Sequence, residues 1–297
     1  MAAFSVIIPA RNRIALLRRA VASVQQQAAA DWELIVVDDG SSEDIEGALW
    51  EAGATEATLV SQTHQGAAAA RNAGAAHASK DYLVFLDSDD EAKPGWLKGF
   101  DELASAGNVV LFCGMELYRA GRATTPNEHV EPRPDPLFGQ NPVLFRAGTY
   151  AVHHEAFTAV GGFAEEMRSG QHTELGIRLM WHVAARGGHV GATAATGVRC
   201  HVHEGPSIRK DAEAIVQGTR CMLEWHSEVL ARHRPLQANY WGVLGVNYAR
   251  LDRRGQALAA FVRAVLCDPW RFKHYARLGV ALLPLPTSRL WNERVRS

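Results

Sequence analysis

The 297-residue chain is 47% hydrophobic and 21% charged, an ordinary globular composition with room for one substantial core or a core plus a small appendage. Its 31 basic and 32 acidic residues give a formal charge of −1, so no global field draws it to nucleic acid, and any polyanion must be held by a local site. Cys113, Cys200, Cys221 and Cys267 form no C-x-x-C pair, and no stretch reads as a signal peptide or as about 18 uninterrupted apolar residues; the expectation is a cytoplasmic protein with reduced thiols, with docking at the inner face of the membrane left open.

Residues 4–8 are a short β-rich run ended by Pro9. Over 14–27, Leu17, Val21 and Val24 fall on one stripe and predict a helix. A second strand over 32–37 is stopped by the turn cluster Asp38-Asp39-Gly40-Ser41-Ser42. A helix over 44–52, a strand over 57–60, an Ala-rich helix over 66–78 and a strand over 82–86 follow. Uniformly apolar strands alternating with helices predict an α/β fold, a mostly parallel sheet flanked by helices, with ligands beyond the carboxyl ends of the strands. Three polar clusters fall there: 9–12, 38–42 and 87–90. Residues 116–142, with Pro126, Pro132, Pro134 and Pro136, read as loops or a lid. A helix over 173–186 precedes a polar stretch over 201–209, and the pattern is helical from 212 onward. There, 240–253 and 256–266, joined at Gly255, resemble a single tetratricopeptide-like hairpin, followed by a helix over 273–283. The domain boundaries are 1–211, divided near 115, and a helical C-terminal extension over 212–297.

Asp87-Ser88-Asp89-Asp90 directly follows the apolar run 82–86. Three carboxylates at a strand terminus repel one another unless a cation lies between them, and hard oxygen donors suit Mg²⁺ or Mn²⁺ bridging to substrate phosphates; alone, the tetrad reads as an acidic turn. Asp38 and Asp39 end another strand, where a carboxylate accepts hydrogen bonds from a nucleobase N–H or ribose hydroxyls, or simply makes the turn that Asp-Gly-Ser favours. Arg71 is a cation on a helix of small residues that lets the helix pack closely on the sheet; it reaches phosphate or base, or is a surface arginine. Glu174, near the start of an apolar-striped helix, is a candidate general base or a contributor to helix N-terminal electrostatics. His201 and His203 alternate on an extended segment, so one of them faces a given side. Arg209 and Lys210 would neutralise a diphosphate if their loop closes.

Segments 5–12, 33–41, 66–74 and 86–90 stand in the order and spacing of family 2 glycosyltransferases, and Gly161-Gly162-Phe163 resembles that family's G-G-F segment. The resemblance implies a GT-A, Rossmann-like nucleotide-sugar domain and inverting, metal-dependent transfer of a sugar from a nucleoside-diphosphate donor. The donor half would span about 1–115 and the acceptor half 116–211. By the same match Pro9, Arg11, Asp38 and Asp39 would hold the nucleoside and Arg71 the base or diphosphate. Asp87, Ser88 and Asp89 would form the D-x-D motif, with Asp89, Asp87 and His203 as metal ligands. Glu174 falls where the family's general base stands. A UDP-sugar is favoured over GDP- or dTDP-sugars; the acceptor would be a glycan, lipid-linked or small-molecule hydroxyl in polysaccharide or glycoconjugate biosynthesis. Thr173-Glu174 replaces the family's Glu-Asp, and Arg11 stands where tyrosine is commoner. The helical extension would serve acceptor selection, membrane-surface docking or homodimerisation. A sugar nucleotidyltransferase would carry a Gly-rich loop with a basic residue after the first strand, and a dehydrogenase G-x-G-x-x-G; neither is present. The remaining alternative is a catalytically weak nucleotide-sugar-binding scaffold.

Overall fold

The computed structural model describes residues 1–28, 31–119, 122–123, 145–202, 210–283 and 291. His203, Arg209 and most of the proline-rich stretch lie outside the described residues. The chain divides into two units, one of 1–165 with 172–204 and one of 166–171 with 205–297.

In the first unit β1 (Ala3–Ala10), α1 (Ile14–Gln25), β2 (Asp31–Asp39), α2 (Ile45–Glu51), β3 (Thr58–Gln62), α3 (Ala67–His77) and β4 (Tyr82–Phe85) alternate strand with helix. The strands assemble in parallel in the order β3-β2-β1-β4. All four residues of β4 are buried, and so are Leu17, Val21 and Val24 on α1, because strand and helical stripe share one core. α3 lies unusually close to the sheet. A Cβ on Gly74 would stand 2.5 Å from Ile7 Cγ2 and 3.1 Å from Val37 Cγ2, so only a hydrogen fits there.

The alternation stops after β4. The next elements are β5 (Glu91–Ala92), α4 (Trp96–Ser105), β6 (Asn108–Arg119), β7 (Arg122–Ala123), β8 (Tyr150–His153), α5 (His154–Ala159), α6 (Gln171–Ala185) and β9 (His189–Val202). β8 runs antiparallel between β4 and β6, β9 is parallel to β6, and β5 is antiparallel to β9. The sheet is therefore parallel in its first half and mixed in its second. An antiparallel neighbour needs no crossover helix, which is why the strand–helix rhythm gives no sign of these strands.

The second unit holds α7 (Ala212–Trp225), α8 (Ser227–Arg232), α9 (Arg234–Arg250), α10 (Arg254–Cys267) and α11 (Phe272–Leu282) around its own core, which includes Leu230, Leu244, Tyr248 and Phe261. The hairpin between α9 and α10 turns at Asp252, with φ 55, and not at Gly255, which lies inside α10. Aspartate tolerates the left-handed region better than most side chains, so glycine is not required. Residues 166–171 join this unit because Gln217 Nε2 donates to the Glu166 carbonyl at 2.7 Å and its Oε1 accepts from the Arg168 N–H at 2.9 Å. Among the described residues no helix is long and apolar enough to cross a membrane.

Gly74→Val should destabilise the protein by about 2–3 kcal/mol, the range for forcing extra carbons into a packed core. Gly74→Ala should do less, because a helix-propensity gain of about 1 kcal/mol offsets part of the clash. Thermal denaturation of both variants checks this; unchanged midpoints would mean that α3 does not lie against Ile7 and Val37.

Candidate functional site

β4 delivers the acidic tetrad to the edge of the first unit's core. The chain turns at once, with the Asp90 N–H donating to the Asp87 carbonyl at 3.0 Å. The turn gathers Asp87, Asp89 and Asp90 so that one carboxylate oxygen from each lies within 4.8 Å of the others. Ser88 is partly exposed within the same turn. Asp90 is buried and accepts the His201 N–H at 2.9 Å; burial first, then the charges of Asp87 and Asp89, push its carboxyl well above the ordinary range. Basic groups surround the other two. Arg71 Nη2 donates to Asp87 Oδ1 at 2.6 Å, Arg13 Nη1 stands 3.8 Å from Asp89 Oδ2, and Arg19 Nη2 donates to the Asp89 carbonyl at 2.6 Å. Three crowded oxygen donors, two of them partly exposed, fit a hard divalent cation of the Mg²⁺ or Mn²⁺ type. His201 Nε2 is held by Glu91 Oε1 at 2.6 Å rather than directed to this cluster.

The ends of β1 and β2 lie side by side, Pro9 opposite Val37 and Ala10 opposite Asp38. Asn12 and Arg13 both adopt left-handed backbone, φ 54 and 62, which turns the chain sharply out of β1. The turn is tied across: the Asn12 N–H donates to Ser41 Oγ at 2.8 Å, and the Ser42 N–H donates to Asn12 Oδ1 at 2.9 Å. Asp38 Oδ1 accepts the Ser41 N–H at 2.8 Å, the local turn that Asp-Gly-Ser favours.

Asp39 is 4% exposed, and its carboxylate is fully engaged by its own chain. Oδ1 accepts from Gln62 Nε2 and the Gln65 N–H, both at 2.8 Å. Oδ2 accepts from His64 Nδ1 at 2.7 Å and the Gly66 N–H at 2.9 Å. Burial pushes this carboxyl up, but the four donors, led by the Gln65 N–H, outweigh it and hold it below its ordinary value. A carboxylate offers about four acceptor positions, so a nucleobase reaches Asp39 directly only by displacing one of these donors. Arg11 Nη1 donates to His64 Nε2 at 3.0 Å, completing a chain from Arg11 through His64 to Asp39. Sequence reasoning missed His64, although the polar run 61–65 between β3 and the small-residue helix marks the place.

α3 joins the two halves of the first unit. Arg71, 5% exposed, holds Asp87 and places its guanidinium carbon 5.4 Å over the Phe163 ring. The adjacent Asn72 grips the backbone of Phe163 on both sides: Oδ1 accepts its N–H at 2.8 Å and Nδ2 donates to its carbonyl at 2.9 Å. Gly161 and Gly162 bring this segment in with φ of 81 and 68, and a Cβ on Gly162 would stand 2.7 Å from Asn72 Oδ1. His172, on α6, packs edge-on against Phe163 at 5.1 Å between ring centroids, and its Nδ1 lies 2.9 Å from the Tyr150 hydroxyl. Its Nε2 is buried and has no hydrogen-bond partner among the described residues. Burial, then the Arg71 charge, lowers its pKa to about 3, so the ring is neutral.

Glu174 is 2% exposed and is not poised as a free base in this arrangement. Arg178, one turn on, donates from Nε to Oε1 at 2.7 Å and from Nη2 to Oε2 at 2.5 Å, and from Nη1 to the Val160 carbonyl at 2.6 Å. The group fastens α6 to the end of α5. The i,i+4 spacing of Glu174 and Arg178 is a sequence signal for this pair that the base assignment passed over.

Residues 5–165, more than half of the chain, match the model of glycosyl transferase family 2. A pre-mycofactocin glycosyltransferase of Mycobacterium tuberculosis is 31% identical over 186 residues, 59% of this chain and 38% of that protein. A GalNAc(5)-diNAcBac-PP-undecaprenol beta-1,3-glucosyltransferase of Campylobacter jejuni is 34% identical over 116 residues, 38% of each. The chain thus spans well under half the length of these two relatives. Among solved structures, S. aureus TarS 1–349 in complex with UDP-GlcNAc superposes with a TM-score of 0.66 at 18% identity, over 99% of this chain and 91% of that one, a likeness of fold. The matched segment takes in the acidic turn, the Asp39 node and the Arg71-Asn72 grip on Phe163, and the chain belongs to glycosyl transferase family 2, with the GT-A fold.

Proposed function

We propose that the protein is an inverting, metal-dependent glycosyltransferase that takes a UDP-sugar and transfers its sugar to a hydroxyl of a lipid-linked glycan. The observation that carries this reading is the carboxylate cluster at the end of β4, with Arg71 and Arg13 beside it. A UDP-sugar donor is supported by the UDP-GlcNAc bound to TarS, and a lipid-linked acceptor by the undecaprenol-linked substrate in the name of the C. jejuni relative.

In this reading Asp89 and Asp87 hold a Mg²⁺ or Mn²⁺ ion, which when bound supplies positive charge opposite the leaving diphosphate. Arg71, anchored by Asp87 and the Phe163 ring, presents its guanidinium to the same phosphates. Arg11 and His64 face the base, and Asp39 positions them through its four hydrogen bonds. Pro9 and Asp38 shape the floor between the ends of β1 and β2. Asp89→Ala should remove metal-dependent UDP release and the stabilisation that Mn²⁺ and UDP together give to thermal unfolding. Full retention of both would take Asp89 out of the site.

Inversion needs one base on the acceptor side, and α6 offers two groups. Both Glu174 oxygens are bonded to Arg178, whereas His172 Nε2 has no partner among the described residues and shares the Phe163 ring with Arg71; burial, then the Arg71 charge, oppose its protonation. In the tautomer that donates Nδ1–H to the Tyr150 oxygen, Nε2 carries the lone pair. We assign proton acceptance to His172 and a positioning role to Glu174. His172→Asn should lower kcat by about 10²–10⁴ with donor binding and the thermal midpoint nearly unchanged. Glu174→Gln should chiefly lower the midpoint, because it removes the charge partner of the half-buried Arg178 and weakens the fastening of α6 to the end of α5. The opposite pattern, a stable but inactive Glu174→Gln beside an active His172→Asn, returns the base to Glu174.

His172 also leaves a pH signature. The folded ring gains a proton only near pH 3, the unfolded one near 6.5, so between these values the unfolded chain binds more protons and stability falls as pH falls. The thermal midpoint should therefore drop more steeply from pH 6.5 to about 5 in the parent than in His172→Asn. Parallel slopes would show that the ring is not held neutral.

A further inference from the structure

The link between α10 and α11, residues 268–271, and the first turn of α11 carry the most exposed aromatic side chains among the described residues: Trp270 is 95% exposed and Phe272 81%. Leu266, at the end of α10, is 65% exposed, and Tyr275 lies one turn beyond Phe272. This tip is braced rather than frayed. Arg234 Nη2 donates to the Leu266 carbonyl at 2.7 Å and Nε to the Cys267 carbonyl at 3.4 Å, capping α10. Arg271 Nη1 donates to Asn239 Oδ1 at 3.0 Å. Exposing two large aromatics on a braced turn loses hydrophobic stabilisation that the rest of the unit takes, for the same unit buries Phe261, Tyr248 and Trp291.

Cations stand beside the apolar tip: Arg271 and Lys273 are exposed, Arg234 lies on the last carbonyls of α10, and Arg277 is half-buried against Gly242, with Asp268 as a nearby acid. The crowding is strong enough that burial, then the charges of Arg271 and Arg277, lower the Lys273 pKa, and His274 beside it moves the same way. This is a concentrated positive patch in a chain whose formal charge is −1. A second copy meeting this tip by two-fold symmetry would bring like charges together. An anionic surface would not. Aromatic rings beside Lys and Arg match the two layers of a bilayer interface, rings at the headgroup–acyl boundary and cations at the phosphates.

We propose that the α10–α11 tip is a docking site for anionic phospholipid bilayers, with Trp270, Phe272 and Leu266 entering the headgroup region and the exposed Arg271 and Lys273 contacting lipid phosphates. The inference stands on this surface and not on the donor site. It places the helical unit against the membrane in which a lipid-linked acceptor resides.

Vesicle flotation of the full chain tests it without donor or acceptor. The parent should float with mixed phosphatidylcholine–phosphatidylglycerol vesicles, weakly with pure phosphatidylcholine, and less as salt rises. Trp270→Ser combined with Phe272→Ser should weaken binding at least about tenfold, and Arg271→Gln combined with Lys273→Gln should remove the preference for phosphatidylglycerol. Unchanged thermal midpoints certify that both variants are folded. A parent that does not float, or a serine variant that floats as well as the parent, overturns the proposal. So does concentration-dependent self-association of the parent that the serine variant lacks, since the tip would then join copies of the chain.

Discussion

Three carboxylates must share the end of β4, and much of the first unit accommodates that repulsion. At about 4 Å and the screening typical of a protein surface, each like-charged pair opposes folding by roughly 4 kcal/mol, comparable to the whole stability of many domains. The fold answers in three ways. Arg71, Arg13 and Arg19 converge on Asp87 and Asp89 from α3, from the turn after β1 and from α1. Asp90 is withdrawn into the core, where burial and its neighbours favour its neutral form and remove part of one charge. The His201 N–H holds it there, which ties the acidic turn to β9. A divalent cation would act in the same sense as these groups.

Arg71 links this electrostatic problem to packing. A buried guanidinium is tolerable only if paired, and its partner Asp87 is itself one of the three crowded acids. The helix that carries it approaches the sheet closely because Gly74 has no side chain to hold it off Ile7. The same helix positions Asn72, whose amide satisfies both backbone groups of Phe163. Close approach, ion pair and backbone grip therefore depend on one short run, Arg71 to Gly74.

Much of this is legible in the amino-acid sequence, for a physical reason. β1, β2 and β4 are largely buried on both faces, so each reads as a continuous apolar run ending in polar residues, and those ends carry Pro9, Asp38 and Asp87. Local chemistry also gives away the Asp38 turn and the small-residue face of α3. What is not legible is whatever depends on distant strands. β8 comes between β4 and β6 without a crossover helix, and no local period announces it. Likewise Asp39 reads as an open acceptor, because its four donors arrive from residues 62–66, more than 20 positions away.

α6 shows how a motif resemblance and side-chain geometry diverge. The resemblance singles out Glu174 as the carboxylate nearest the expected base, and charge type alone supports it. Arg178 sits one helical turn away, however, and its bidentate guanidinium grip on the buried Glu174 carboxylate is a strongly held arrangement. Freeing Glu174 to accept a proton would leave Arg178 charged, partly exposed beside Val160 and without its counter-ion. Protonating His172 removes no counter-ion; its cost is the burial and the Arg71 charge that hold the ring neutral. Its ring is neutral, it is oriented by Tyr150, and its second nitrogen has no partner to give up. In the proposed reading the imidazole therefore takes the proton with the least rearrangement of hydrogen bonds on α6, while the Glu174–Arg178 pair keeps α6 fastened to the end of α5.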